Sequence, residues 1–291
     1  MQLVESFKKR EYLKFILPGT AFIVVLLIVP TFFLFYVSLY KYNVMTPQDR
    51  PFVGLENFLQ VVRDQYFWDA LGVSLTFSVC ALSIEIVFAL GIALILNSKL
   101  GRFSSATSIL IATPVMMSSV GIAILWRIMY HPTIGILNFL LSSLRLPTSA
   151  WIDDPSTALP SVILVDVWHW TPFIALILFA GLRMIQGEYY DAAAVDGASM
   201  WQIFRHVTLP LLKNMLLIAL LFRLADAIKL FDEVAVLTWG GPNRVTETVS
   251  MYIFRTAFIW FDVGKAAVQS LIFLFVAEMI TIPIIRLLRK K

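Results

Sequence analysis

The sequence predicts an all-α integral membrane protein with six membrane-crossing helices. Three observations support this. Of 291 residues, 59% are hydrophobic and only 14% charged, against roughly 25% charged in a soluble domain. There is too little polar side chain to cover a water-facing globule. The apolar residues also gather into runs long enough to cross a bilayer. Finally, a backbone in lipid must satisfy its own hydrogen bonds, which selects helices, and the alternating pattern of outer-membrane strands is absent.

The six segments run roughly over 13–40, 70–97, 104–130, 158–183, 208–237 and 263–286, within a single transmembrane domain of residues 1–291. Lys8, Lys9, Arg10 and Lys14 precede an uncharged stretch from Phe15 to Tyr40. That stretch exceeds the apolar core of an export signal and reads as a retained first span. Six crossings put both termini on one side. That side also collects the basic clusters at the two ends, with Arg286, Arg289, Lys290 and Lys291 at the second, and Lys99, Arg102, Arg183, Arg205 and Lys213 between. Excess Lys and Arg mark the cytoplasmic face, so both termini and the loop around 187–207 are expected in the cytoplasm. The net charge of +4 is explained by this topology, and nucleic acid is not an expected partner. The single cysteine, Cys80, excludes a disulfide within the chain.

Outside, residues 131–160 form the longest loop, punctuated by Pro132, Gly135, Pro147 and Pro155. Within it Ile136, Leu137, Phe139, Leu140 and Leu144 suit a short helix lying on the membrane or on the bundle.

Inside, Gly187 to Pro210 is too polar to span and too helix-prone for a plain turn. Glu188 to Asp196 reads as a helix with acidic residues in its first turn, where they complement the dipole. Gly197 ends it, and Ser199 with Gln202 forms a capping box for a second helix. Thr208 and Pro210 suit the start of the fifth span. Small Ala192, Ala193, Ala194 and Gly197 permit close approach of another protein. The residues alone leave two readings open, a knob gripped by a partner or an interfacial amphipathic segment.

This loop resembles the EAA signature of ABC importer permeases: Glu-Ala-Ala, three residues, Gly, nine residues, Ile-x-Leu-Pro. Asp191-Ala192-Ala193, Gly197 and Val207-Thr208-Leu209-Pro210 fall at those spacings, with Asp191 in place of Glu and Val207 in place of Ile. Gln186 stands where many members have Pro. Phe52 to Phe58 resembles the Gly-Leu-x-Asn-Phe segment after the first span of sugar-type permeases, and Thr238-Trp239-Gly240-Gly241-Pro242 their Thr-x-Gly-Gly-Pro turn. With its Arg-Leu-Leu-Arg-Lys-Lys end, the chain is similar to the maltose-F or glycerol-phosphate-A type. The resemblance implies a type I ABC importer permease fold and a place in the cell inner membrane. It also implies three partners: a second homologous permease, a homodimeric ATP-binding subunit that binds ATP and Mg, and an extracytoplasmic solute-binding protein. No cofactor is expected in this chain, and no catalytic role. The coupling contact implied comprises Glu188, Asp191, Ala192, Ala193, Asp196, Gly197, Ser199, Phe204, Arg205 and Pro210.

Charged groups within spans are costly and invite a role. The fifth span carries Arg223, Asp226, Lys229, Asp232 and Glu233, mostly on one face, and Asp226 can pair with Arg223 or Lys229. They read either as a polar stripe along a solute path or as a self-neutralising seam. Asp166, Trp168, His169 and Trp170 in the fourth span combine hydroxyl-accepting carboxylate with aromatic faces. That suits a saccharide, or alternatively interfacial Trp anchoring with one buried Asp. Glu85 and Glu278 read as structural. Trp239, beside the outer mouth, is a further candidate for contact with solute or binding protein.

His131, His169 and His206 are too scattered for a metal site. The sequence holds no His-Glu-x-x-His helix, Gly-x-Ser-x-Gly elbow or Gly-x-x-x-x-Gly-Lys-Ser/Thr loop. ATP energy must therefore come from a partner. The competing reading is an ion-coupled secondary transporter of a small polar solute acting through Glu85, Asp166 and Asp226, which would show inverted repeats. An intramembrane enzyme lacks a nucleophile and base at plausible depth.

Overall fold

The computed structural model describes residues 2–98 and 110–289. Lys99, Arg102, the first part of the expected third span, Lys290 and Lys291 lie outside the described residues. Among those described the chain is helical, with no strand beyond two isolated bridges, Tyr40 with Phe52 and Asn43 with Asp262.

Twelve α-helices are numbered here in chain order: α1 Gln2–Ser38, α2 Glu56–Val62, α3 Gln65–Asn97, α4 Ser119–Met129, α5 Ile136–Ser143, α6 Ala158–Met184, α7 Gly187–Val195, α8 Met200–Ile203, α9 Leu209–Ala227, α10 Asp232–Leu237, α11 Val249–Phe254 and α12 Val263–Arg289. Among the described residues, five helical stretches are long and apolar enough to cross a membrane: those of α1, α3, α6 and α12, and the continuous run through α8 and α9. The helix expected in the longest loop is α5.

Two expected spans are not continuous helices. Within 104–130 the chain forms a 3-10 turn at Pro114–Met116, becomes extended at Met117 and Ser118, and resumes as α4. Pro114 has no N–H to continue a helix. Within 208–237 the helix stops after Ala227 and restarts as α10. Carbonyls exposed by such a break must find donors at membrane depth. Ser250 donates its hydroxyl to the Lys229 carbonyl at 3.0 Å, and Thr248 to that of Leu230 at 2.8 Å. The α11 region, read from sequence only as part of a loop, is an apolar helix that ends in a π-helical turn, Arg255–Ile259.

The chain divides into two compact units. One comprises the residues up to 65 together with 253–274. Here the Asn57 amide donates to the carbonyls of Ser38 at 2.8 Å and Tyr40 at 2.9 Å, closing the end of α1. Gly264 lies against the Tyr40 carbonyl, where a Cβ would collide. Lys265 pairs with Asp64 at 3.1 Å. The Gly-Leu-x-Asn-Phe segment is thus a clasp, with Gly54 supplying the left-handed turn (φ +56°) before α2.

The other unit comprises 66–252 and the residues from 275. Phe77, Ile122, Trp126, Tyr130, Val165, Val234 and Met251 meet in one apolar cluster. Ala89, Ile174, Leu178, Leu212 and Ala219 meet in a second. The small Gly181 admits Leu212 and Met215 close to α6. Asn138 knots the long loop, donating to the carbonyls of Pro132 (3.1 Å) and Ser149 (2.9 Å) and accepting from the Trp151 indole (2.9 Å). The α6 span is mostly buried, whereas those of α1 and α12 bury almost nothing within the chain.

Candidate functional site

Four charged side chains from three helices converge inside the second unit. Glu85 comes from α3, Asp166 from α6, and Arg223 and Asp226 from α9. Glu85, Asp166 and Arg223 are buried; Asp226 is about half exposed. The Arg223 guanidinium donates through Nε to Glu85 Oε2 and through Nη2 to Glu85 Oε1, each at 3.0 Å. Nη2 also donates to Asp166 Oδ2, and Nη1 to Asp226 Oδ2 at 3.2 Å. The planar fork of arginine suits this two-point grip on a carboxylate. Its carbon centre lies 5.1 Å from the centre of the Trp170 ring. Beside the cluster, His169 Nδ1 lies 3.5 Å from Glu233 Oε1, both buried. Charges at this depth persist only when paired.

These contacts sort the residues singled out from sequence. Asp226 pairs with Arg223, as one expected option had it. Asp166 is sealed behind Arg223 in this conformation. Glu85 has an ion partner 138 positions along the chain, which helical spacing alone does not reveal. The signal available was complementary charge, a lone acid in one span and an arginine in another. Trp170, Asp226, Lys229 and Glu233 line a polar recess together with Ser119 and Asp232. Asp226 on α9 and Lys229 in the break just past its end are exposed and line it. Pro172 has no N–H to offer the Trp168 carbonyl. Trp168 is half exposed, its ring edge-on to Trp126 at 5.8 Å. Trp239 sits apart, after α10, in a second recess shared with Arg127 and Asp153.

At the other end of α9 lies the polar elbow. Helix α7 buries no residue, and Asp191, Ala192, Asp196, Gly197, Ser199 and Arg205 are exposed. Gly197 takes φ +73° and ends α7. Its N–H donates to the Ala194 carbonyl at 3.1 Å, and that of Ala198 to Ala193 at 3.0 Å, the pattern a left-handed glycine permits. The capping box is present: Gln202 N–H donates to Ser199 Oγ at 3.4 Å and Ser199 N–H to Gln202 Oε1 at 2.7 Å. A π-helical turn, Phe204–Thr208, then joins α8 to α9. Val195, Met200 and Trp201 are exposed, with Trp201 stacked on Phe204.

Long apolar helices around a paired, buried charge cluster, ending in an exposed two-helix elbow, define an integral membrane protein that crosses the bilayer several times. Comparison with known proteins makes the class specific. The family model described as "Binding-protein-dependent transport system inner membrane component" matches residues 85–289. The chain is 38% identical over 260 residues to the trehalose/maltose transport system permease protein MalF of Thermococcus litoralis, covering 88% of this chain and 85% of that relative. It is 34% identical over 268 residues to the trehalose transport system permease protein SugA of Mycobacterium tuberculosis, covering 91% and 85%. In fold it is similar to a chain of a bacterial alginate ABC transporter solved in complex with an alginate pentasaccharide-bound periplasmic protein. That match has a TM-score of 0.80 and 22% identity, covering 97% of this chain and 96% of the other. The chain belongs to the family of binding-protein-dependent transport system inner membrane components.

Proposed function

We propose that this chain is a permease subunit of an ATP-driven importer for a saccharide or sugar-like solute. The observation that carries the reading is the elbow of α7 and α8, solvent-exposed, apolar at Met200 and Trp201, and continuous through the π turn with α9. A separate ATP-binding homodimer, holding ATP and Mg, grips the elbow at Asp191, Ala192, Ala193 and Gly197. Displacement there reaches α9 directly, and α9 carries Arg223 and Asp226. Tilting α9 against α3 and α6 opens the polar recess to one side of the membrane and then the other. Both termini and the elbow face the cytoplasm. The uncovered spans of α1 and α12 face lipid and a second, homologous permease, and a solute-binding protein delivers cargo from outside.

The solute class rests on the recess chemistry and on the relatives' names. Trp170 offers an aromatic face, Asp226 and Glu233 accept hydroxyl hydrogen bonds, and Lys229 donates them. Asp166 and His169 support this wall from behind, with Trp168 beside it on α6.

The test uses Asp191→Lys and Gly197→Trp in the co-expressed complex. Asp191→Lys reverses a charge at the contact. Gly197→Trp meets no neighbouring atom on the free permease but strains the left-handed turn (φ +73°), and in the complex it lies in the partner's path. A misplaced group at such an interface costs about 2–5 kcal/mol, so ATPase co-purification should fall by about thirtyfold or more while membrane insertion persists. Normal ATPase binding and uptake in both variants would sink the coupling assignment. Solute uptake by this chain alone, without an ATPase, would favour the ion-coupled alternative.

A further inference from the structure

The ion cluster and the α7–α8 elbow are absorbed by the reading above, but the recess after α10 is not. Arg127 at the end of α4, Asp153 from the loop after α5, and Thr238, Trp239 and Pro242 line it. It lies beyond the opposite end of α9–α10 from the elbow. That is the side from which a solute arrives on the function proposed, and the inference rests on that reading.

The loop presenting Trp239 is held by a dense set of hydrogen bonds. The Trp239 N–H donates to the Val234 carbonyl at 2.7 Å, and that of Gly241 to Thr238 at 2.9 Å. The hydroxyls of Thr238 and Thr246 lie 2.7 Å apart, and Thr246 donates to the Gly241 carbonyl at 2.7 Å. Within this frame Trp239 adopts φ +54° and remains 48% exposed. A bulky residue in the left-handed region is strained where glycine is not, and strain of this kind gathers at ligand clamps. Arg127 is equally fixed, its Nη1 donating to the Val236 carbonyl at 2.9 Å.

We propose that this recess is a waiting site for one sugar ring, stacked on Trp239 and held at its hydroxyls by Arg127 and Asp153. Its volume of about 270 Å³ falls just below that of ordinary ligand pockets, about 300–1,000 Å³. A single ring therefore fits, not a whole oligosaccharide. A hydroxyl both donates and accepts, which matches a guanidinium and a carboxylate lining the same recess. The same pair leaves the recess without a strong preference for ionic ligands. A protein partner would instead need a broad contact, about 800 Å² on each side. The site holds the arriving solute at the mouth while the deeper recess is closed.

The experiment measures equilibrium binding of radiolabelled maltose and trehalose to the purified complex in nanodiscs, without binding protein. In parallel it measures binding-protein affinity and sugar import by the complete system. Losing the stack in Trp239→Gly should weaken sugar binding about three- to tenfold, while Trp239→Phe, which keeps a ring, stays within about twofold of wild type. Binding-protein affinity should not change in either. If Trp239→Gly binds sugar as wild type does, the waiting site is overturned. It is equally overturned if that variant loses affinity for the binding protein alone, in which case Trp239 is a docking residue. A wild-type complex that imports no saccharide, maltose and trehalose included, overturns the solute class and this proposal together. Wild-type import with unchanged sugar binding in Trp239→Gly overturns this proposal alone.

Discussion

Replacing Arg223 with Met removes the cation that joins α3, α6 and α9 and leaves Glu85 and Asp166 buried as carboxylates facing one another. The magnitude follows from where each partner sits. Asp226 is 54% exposed, so its pairing is worth about 0–1 kcal/mol. Glu85 and Asp166 are sealed from solvent, and breaking a buried pair by deleting one partner costs about 3–5 kcal/mol. The expected loss for Arg223→Met is therefore about 3–5 kcal/mol, a large share of a typical 5–15 kcal/mol stability. Asp226→Asn should lose under about 1 kcal/mol yet impair uptake, because Asp226 lines the polar recess. The triple variant Glu85→Gln, Asp166→Asn, Arg223→Met should recover most of the loss, since no charge is then left unpaired. The assay is reversible SDS titration of purified protein in bicelles, followed by tryptophan fluorescence, with uptake measured on the same preparations. If Arg223→Met lies within about 1 kcal/mol of wild type, or the triple variant is no better than the single, the cluster does not hold these helices as argued.

Two further outcomes are expected. Asn57→Ala leaves the Ser38 and Tyr40 carbonyls without their donor and should cost about 1–3 kcal/mol, read as a lower thermal midpoint of detergent-solubilised protein; an unchanged midpoint would refute the clasp. In a Cys80→Ser background, a cysteine at Ser199 should resist membrane-impermeant maleimide on intact cells and react after permeabilisation, and labelling on intact cells would reverse the proposed orientation.

Much of the fold was legible because bilayer crossing imposes a simple rule on sequence. Long apolar runs, with at most a few charges inside, marked the spans of α1, α3, α6 and α12, and Gly197 with the Ser199–Gln202 box marked the elbow. What escaped depends on tertiary partners. Hydropathy runs straight through Ile228 to Phe231, because the donors that allow a break there, Thr248 and Ser250, lie far along the chain. Likewise the α11 region is too short and too close to Arg255 to read as a membrane helix. For the site, spacing on one helix revealed Arg223 with Asp226, a local pair. It did not reveal Glu85 with Arg223, which needs the helices already packed. Trp239 drew attention by its neighbours in sequence, while Arg127 and Asp153 join it only through the folding of two other segments.

The π-helical turn at Phe204–Thr208 has a geometric consequence. A π turn accommodates one more residue than the α-helix around it, and one residue corresponds to about 100° of rotation about the helix axis. The wider turn takes up that extra residue locally, so the α7–α8 elbow keeps nearly the azimuth that an uninterrupted α-helix one residue shorter would give it. Deleting one residue within 204–208 should regularise the helix and leave Asp191 and Trp201 close to their present azimuth, whereas deleting one from the regular α9 helix would turn the elbow by about 100°. One wide turn thus buffers the angle between the elbow and α9 against a one-residue change in the length of the linker.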